Sequence, residues 1–183
     1  MATSNKAVKL IALFTVIAGF IAIIAGGLTW ALVSSQLKDE AITVSAVTPE
    51  DPGSLAGKQV AGPFTAYAQA AAIQHHALAG ANDRTYAEIG ADLSALKDKL
   101  KAAGASDADI ADNAEVKALT ATRTSTMNGT FLRTSLFTSV VAFGVAALVI
   151  GLGFIFILLG YALMKVSNPM VTATVPESVP AKE

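Results

Sequence analysis

The longest apolar run of the chain, from Leu136 to Met164, constrains the fold more than any other feature. It reads LFTSVVAFGVAALVIGLGFIFILLGYALM and contains no charged side chain. A second uncharged run, LIALFTVIAGFIAIIAGGLTWALV, extends from Leu10 to Val33. At about 1.5 Å per residue, the two runs are roughly 43 and 36 Å long as helices, and a hydrocarbon core is about 30 Å thick. The sequence therefore predicts transmembrane helices at residues 10–33 and 136–164, joined as a hairpin.

The composition agrees with two spans better than with one large buried core. Hydrophobic residues make up 53% of the chain and charged residues only 15%. The charge content is low because the two apolar runs contain no charged residue. The net charge is −1 with no basic tract, so nucleic acid is not an expected partner. The chain has no cysteine, which excludes disulfides, thiolate chemistry, iron–sulfur clusters and cysteine-ligated zinc.

The charges that flank the runs predict the orientation. Lys6, Lys9 and the amino terminus precede the first run, whereas Lys38 follows it beside two acidic residues. Because positively charged flanks stay in the cytoplasm, the N-terminus is expected there, and an even number of spans returns the C-terminus to the same side. The expected arrangement is a cytoplasmic N-terminus at 1–9, an extracytoplasmic segment at 34–135 and a flexible cytoplasmic tail at 165–183.

Other features of the flanks leave alternatives open. Arg123 and Arg133 lie on the expected outer side and oppose the orientation. The first run is longer than the roughly 7–15 residues of a signal-peptide core, so an uncleaved signal anchor is expected rather than a cleaved signal. Trp30 and Tyr161 fit interfacial anchors, and each fits a packing residue equally well.

The segment between the spans is predicted to be mainly helical with a short β element. Residues 41–47 alternate apolar and polar side chains, and KQVAG can pair back on them, which predicts short strands within 41–61. Helices are predicted at about 64–79, 85–103 and 107–135. Thr85 and Glu88 have the spacing of a capping box, and Ser106 can cap the third helix. We expect the third helix to continue into the second span, with Gly129 as its weakest point.

Two sets of residues are predicted to form packing surfaces. Small residues at helical spacing let two membrane helices approach closely, either within this chain or against a partner, although Gly and Ala are also simply common in such helices. This helix-packing set is Ala18, Ala22 and Gly26 in the first span with Gly144, Ala147 and Gly151 in the second. Apolar stripes on the outer helices need a cover, either each other or the ends of the spans. These stripes are Phe64, Tyr67 and Leu78, followed by Tyr86, Ile89, Leu93, Leu96 and Leu100.

No group of residues predicts catalysis, and no cofactor or metal is expected. The only histidines, His75 and His76, are neighbours that point about 100° apart on a helix, so they cannot easily share one metal ion. No nucleophile elbow, zinc-protease motif or phosphate loop is present. Neither span contains an ionisable residue, which argues against a self-contained transporter.

Several strings resemble small actinobacterial membrane proteins that are often labelled aromatic ring-opening dioxygenases. They are TWALVSSQLKDEAITVS, VAGPFTAYAQA, HHAL, RTYAEIG and MNGTFLRTSLFTSVVAFGVAALVIGLG. The resemblance covers most of residues 25–163, and residues 92–117 resemble an insertion. It implies a bacterial plasma membrane and two spans. The label implies a non-haem iron site of two histidines and one carboxylate, which two adjacent histidines do not supply, so no catalytic residue is assigned.

These observations predict a non-enzymatic accessory or scaffold protein of the bacterial plasma membrane. Its expected partners are the lipid bilayer and either a membrane protein or further copies of itself. The alternatives are the dioxygenase of the family label and a sensor that binds a lipid or small ligand between the outer helices and the bilayer.

Overall fold

The computed structural model describes residues 2–167 and confirms a mainly helical chain. The predicted tail beyond residue 167 lies outside the described residues. The helices are α1 (Ala2–Asp39), α2 (Pro63–Ala79), α3 (Tyr86–Ala102), α4 (Asp107–Asp112) and α5 (Ala114–Ser167). Contacts divide the chain into two compact units. We call residues up to 26 and from 148 the terminal unit, and residues 27–147 the central unit.

Two helices are long and apolar enough to cross a membrane, namely α1 from Lys6 onward and α5. Only 11% and 17% of their most apolar stretches are buried within the chain. Large side chains are exposed instead, such as Phe14 at 63% and Leu158 at 67%. A core helix of a water-soluble protein buries such groups because their exposure to water is unfavourable. The two helices therefore have the surface that lipid tails would cover.

In the terminal unit, α1 and α5 run antiparallel and approach closely at glycines. A Cβ added to Gly19 would lie 2.6 Å from the carbonyl oxygen of Gly153, and one added to Gly160 would lie 2.8 Å from that of Ala12. The buried residues Ala12, Gly19 and Gly26 recur every seven positions, as do Gly153 and Gly160. A seven-residue repeat keeps one seam of each helix facing the other. Only very small side chains fit this seam.

The predicted β element is wrong, because the described part of the chain contains no strand. Residues 41–61 form a single antiparallel bridge, between Thr43 and Gln59. The N–H of Val44 donates to Lys58 and that of Val60 to Ile42 across the bridge, but the N–H of Lys58 turns back to the carbonyl of Leu55 and does not complete the next pair. On the other side of the bridge the chain enters α2 at Pro63, which has no N–H to donate. The pairing of the two segments therefore ends on both sides of this single bridge.

A buried cluster holds the central unit together. Phe143 of α5 is 1% exposed, and its ring packs edge-on against Trp30 of α1 with centroids 4.8 Å apart. The hydroxyl of Ser34 donates to the carbonyl of Ala61 at 2.7 Å, which ties the end of the first apolar run to the start of α2. The other members of the cluster are Leu37, Val44, Val60, Ala66, Ala70 and Leu136.

The third predicted helix is interrupted at Asn113, and Gly129 does not break it. Asn113 has extended backbone angles, and its side-chain oxygen accepts from the N–H groups of Glu115 and Val116, so it caps the start of α5. From there α5 continues into the second apolar run. Gly129 is helical, and a Cβ there would lie only 3.0 Å from the Cβ of Ala77. The glycine lets α2 pack against α5.

Candidate functional site

A stripe on one side of α5 carries two arginines and two threonines of the central unit. Arg123, Thr126, Thr130, Arg133 and Phe137 follow one another at spacings of three and four residues, so they share one side of the helix. The two threonine hydroxyls donate to the carbonyl oxygens four residues earlier, each at 3.0 Å. The hydroxyl hydrogens of both threonines are therefore used within the helix, and the side-chain donors left on the stripe are those of the two arginines.

A cavity of about 130 Å³ lies between this stripe, α2 and the start of α3. None of the residues that line it carries a carboxylate. Its walls are Gln74, Ala77, Leu78, Thr85, Tyr86, Thr126, Gly129, Thr130 and Arg133. A cavity needs roughly 10–15 Å³ to hold one water, so this one has room for several waters or one small polar group.

Among the described residues that line the cavity, Arg133 is the only charged one. Its guanidinium lies over the ring of Phe137, 5.1 Å from the centroid. Its Nε atom is buried and has no hydrogen-bond partner in the described part of the chain. An aromatic face attracts a cation but does not replace the hydrogen bonds that water would supply. The side chain therefore retains unused donor capacity.

Arg123 adds a second cation beside the same cavity wall. Its guanidinium lies 4.2 Å from the ring centroid of Tyr86, and its Nε is likewise buried without a partner among the described residues. It packs over Gly90 of α3, where an added Cβ would lie 3.2 Å from Nε. No Asp or Glu occurs between residues 116 and 176. The stripe therefore has positive charge, and the one carboxylate of α5, that of Glu115, lies eight residues before Arg123.

The sequence around these two arginines lacks the acidic neighbours that usually pair with a helix arginine. Ion pairs along a helix join residues three or four apart. Neither arginine has an acidic residue at such a spacing. An arginine in an amphipathic helix without an acidic neighbour indicates a charge whose partner lies elsewhere.

A second, larger cavity of about 450 Å³ lies between the end of α1, α2 and α5. Its walls are mostly apolar, with Glu40, Gln69 and Ser135 as the polar groups. The apolar walls are Leu37, Ile42, Ile73, Leu132 and Leu136. Its volume lies within the range of small-molecule sites, roughly 300–1,000 Å³.

The predicted helix-packing residues fall in different environments. Gly26 is buried, and Ala22 is partly buried, whereas Ala18 is exposed. Gly144, Ala147 and Gly151 are all exposed. A Cβ added to Gly144 or Gly151 would meet nothing within 4 Å. The contact between the two helices of this chain uses Gly153 and Gly160 instead, and contact of the exposed set with a partner stays a prediction.

The predicted outer face is covered only at some positions. Ile89 and Leu93 are buried, and Leu93 packs with Ile110 and Val116. Leu78, Tyr86, Leu96 and Leu100 are partly buried. Phe64 is 81% and Tyr67 56% exposed. The Tyr67 ring packs edge-on against Phe137 with centroids 5.7 Å apart.

The histidines do not form a metal site with other described residues. The rings of His75 and His76 are 5.7 Å apart at 85° to each other, and both residues are exposed. Nε2 of His76 lies 2.8 Å from the carbonyl oxygen of Ala46, to which it donates. Within residues 2–167, no three His, Cys, Asp or Glu side chains are grouped to hold a metal ion.

Two helix caps shift the pKa of their carboxyl groups. Backbone and side-chain hydrogen bonds from Thr85 hold the pKa of Glu88 below its ordinary value. Side-chain and backbone bonds from Ser106 lower the pKa of Asp109 in the same way. Both carboxylates accept bonds at the N-terminus of a helix, as in the predicted capping boxes. These shifts reflect helix capping rather than catalysis.

Comparisons with protein-family models, with curated proteins and with solved structures find no match to this chain. The family resemblance and its implications remain expectations.

Proposed function

We propose that the chain is an integral protein of the bacterial plasma membrane that serves as a non-catalytic accessory or scaffold subunit. In this proposal α1 and α5 span the bilayer, both termini are cytoplasmic and residues 34–135 lie outside. Its partner is a larger membrane complex or a second copy of the chain.

The observation that supports a partner is a face of α5 that carries small residues and is not covered by the rest of the chain. Gly144 and Gly151 are seven residues apart and therefore lie on one side of the helix. Open space surrounds both, whereas Gly153 is in close contact with α1. In lipid, helices associate where small residues let their backbones approach, because dispersion contacts replace the hydrophobic drive. In this proposal the face with Gly153 contacts α1 of the same chain, and the face with Gly144 and Gly151 contacts a partner helix.

Purification in mild detergent with mass spectrometry tests the proposal. We expect the wild-type chain to carry a stoichiometric partner or to form a defined oligomer. A Gly144→Leu, Gly151→Leu double variant is expected to lose that species because the added side chains hold the partner helix away.

The matched control is Gly27→Leu. Gly27 lies on α1, and a Cβ there also meets nothing within 4 Å. This variant adds the same side chain to a helix glycine outside the proposed face, so it should retain the partner. A wild-type chain that is strictly monomeric and carries no other protein would contradict the proposal.

The second candidate function is a sensor of a lipid or small apolar ligand, which the larger cavity favours. Its apolar walls match an apolar molecule, and Glu40 and Gln69 offer polar contacts for one end of it. Native mass spectrometry should then show one retained molecule. An Ile73→Trp variant fills the cavity and should lose it, whereas retention of the molecule would argue for binding elsewhere.

A further inference from the structure

We infer that the cavity between α2, α3 and α5 is a binding site for one phosphoryl oxyanion, with Arg133 as its main ligand. The phosphoryl group belongs either to a phospholipid headgroup or to a free phosphate. The inference rests on the proposed membrane topology but not on the scaffold role, which concerns Gly144 and Gly151 further along α5.

The first argument is the state of Arg133. A buried hydrogen-bond donor is costly unless it has an acceptor. Arg133 has a buried Nε without a partner, and no described ion pair includes it. Phe137 stabilises one face of the guanidinium, which leaves the edge with its N–H groups for a ligand. The guanidinium of Arg133 therefore has N–H donors that no described residue accepts from.

The second argument is the match in size and chemistry. The cavity measures about 130 Å³, and a cavity of about 150 Å³ is large enough for benzene. A phosphoryl group with its four oxygens fits this space. The planar fork of a guanidinium matches two oxygens of such a group in a bidentate arrangement. The amide of Gln74 is a second donor in the wall, and no carboxylate there would repel an anion.

The third argument is location. Arg133 lies one helical turn before Leu136, where the second apolar run begins. Phe131 and Leu132 beside it are 62% and 57% exposed, which is typical of side chains that face lipid at the border of a span. In the proposed topology this is the level of the phospholipid phosphates. Arg123 increases the positive potential nearby.

The test follows the Nε–H resonances of the arginines by NMR in the full-length chain. In lipid-free detergent at constant ionic strength, the probe is inorganic phosphate, with chloride as the control anion. In nanodiscs, the probe is phosphatidylglycerol added to a background of a phosphate-free glycolipid. We expect the Arg133 resonance to shift and saturate, while that of Arg84, already paired with Asp92, does not move.

The outcomes distinguish the two sources of the group. A saturating shift with inorganic phosphate indicates a free phosphate ligand, and a shift only with phosphatidylglycerol indicates a lipid headgroup. Either supports the inference. An Arg133 resonance that moves with neither probe, or moves equally with chloride, overturns it.

Variants supply a second readout. Arg133→Gln should weaken binding by at least about tenfold, because hydrogen bonds to charged groups are the strong ones. Gln74→Ala, at an exposed position that tolerates truncation, should weaken it a few-fold. Arg84→Gln is the matched control and should bind as the wild type does. Equal affinity in Gln74→Ala, Arg133→Gln and wild type would refute the assignment even if one variant were less stable.

Discussion

Alanine at Gly153 and alanine at Gly151 should have opposite effects on the stability of the terminal unit. The two glycines are two positions apart on α5. A Cβ at 153 would lie 2.7 Å from the carbonyl oxygen of Gly19 and 2.7 Å from a side-chain carbon of Ile23, while a Cβ at 151 would meet nothing within 4 Å. Ordinary contact begins near 3.4 Å. A side-chain carbon can rotate away, but a helix carbonyl cannot, so the helices must separate locally.

The magnitude follows from two opposing terms. Replacing glycine by alanine favours a helix by about 1 kcal/mol. Overpacking a well-packed contact costs about 1–3 kcal/mol. The helix term is common to both variants, so it cancels in their difference. Gly153→Ala should therefore be less stable than Gly151→Ala by about 1–3 kcal/mol, which is roughly a 5–150-fold change in the unfolding equilibrium.

Steric trapping in bicelles measures this difference, because it reports the association of two labelled helices without a change of solvent. Both variants and the wild type are compared under one condition. Gly151→Ala should equal or exceed the wild type. If the two variants agreed within about 0.5 kcal/mol, the precision to which independent substitutions add, the close approach at Gly153 would be refuted.

Further predictions concern the central unit. Gln69→Ala leaves the Ser45 N–H without the acceptor it has at 2.7 Å, which costs about 1–3 kcal/mol. Hydrogen exchange of the Ser45 amide should then accelerate. An unchanged exchange rate would contradict the contact. Phe143→Ala empties a site that is 1% exposed, and should lower stability by about 3–5 kcal/mol in detergent melts, with a loss below about 1 kcal/mol as the contrary result. Thr85 holds the pKa of Glu88 below its ordinary value near 4.5, so the cap is fully stabilising above that value and its contribution disappears as the pH falls through the lowered folded pKa. Amide protection in the first turn of α3 should therefore decrease in that acid range, and Glu88→Gln should remove the dependence; a wild-type profile that matches the variant would be inconsistent with the cap.

Features that depend on nearby residues could be predicted from the sequence. The caps at Thr85 and Ser106 require only a hydroxyl and a carboxylate three positions apart, and both are present. The two apolar helices follow from length and composition. The β element failed because the N–H of Lys58 bonds to Leu55 in a turn and the chain enters α2 at Pro63, so the pairing ends after one bridge. The alternation of side chains within 41–47 does not show where the N–H groups of the partner segment point.

The packing face and the cavity also depend on distant residues. Several small residues on α5 have helical spacing, and only the position of α1 determines that Gly153 and Gly160, rather than Gly151, form the contact. The site at Arg133 needs Gln74 of α2 and the start of α3 to close its walls. The sequence shows an arginine without an acidic neighbour on its helix, but it does not show which surfaces enclose it.

The central claim is that α1 and α5 cross the bilayer as an antiparallel pair with the segment between them outside. The chain has no cysteine, so single cysteines can be introduced without a background. In intact cells, a membrane-impermeant maleimide should label Ser54→Cys, and it should label Ser4→Cys and Ser178→Cys only after permeabilisation. Labelling of Ser4→Cys but not Ser54→Cys in intact cells, or recovery of the chain in the soluble fraction without detergent, would contradict the account.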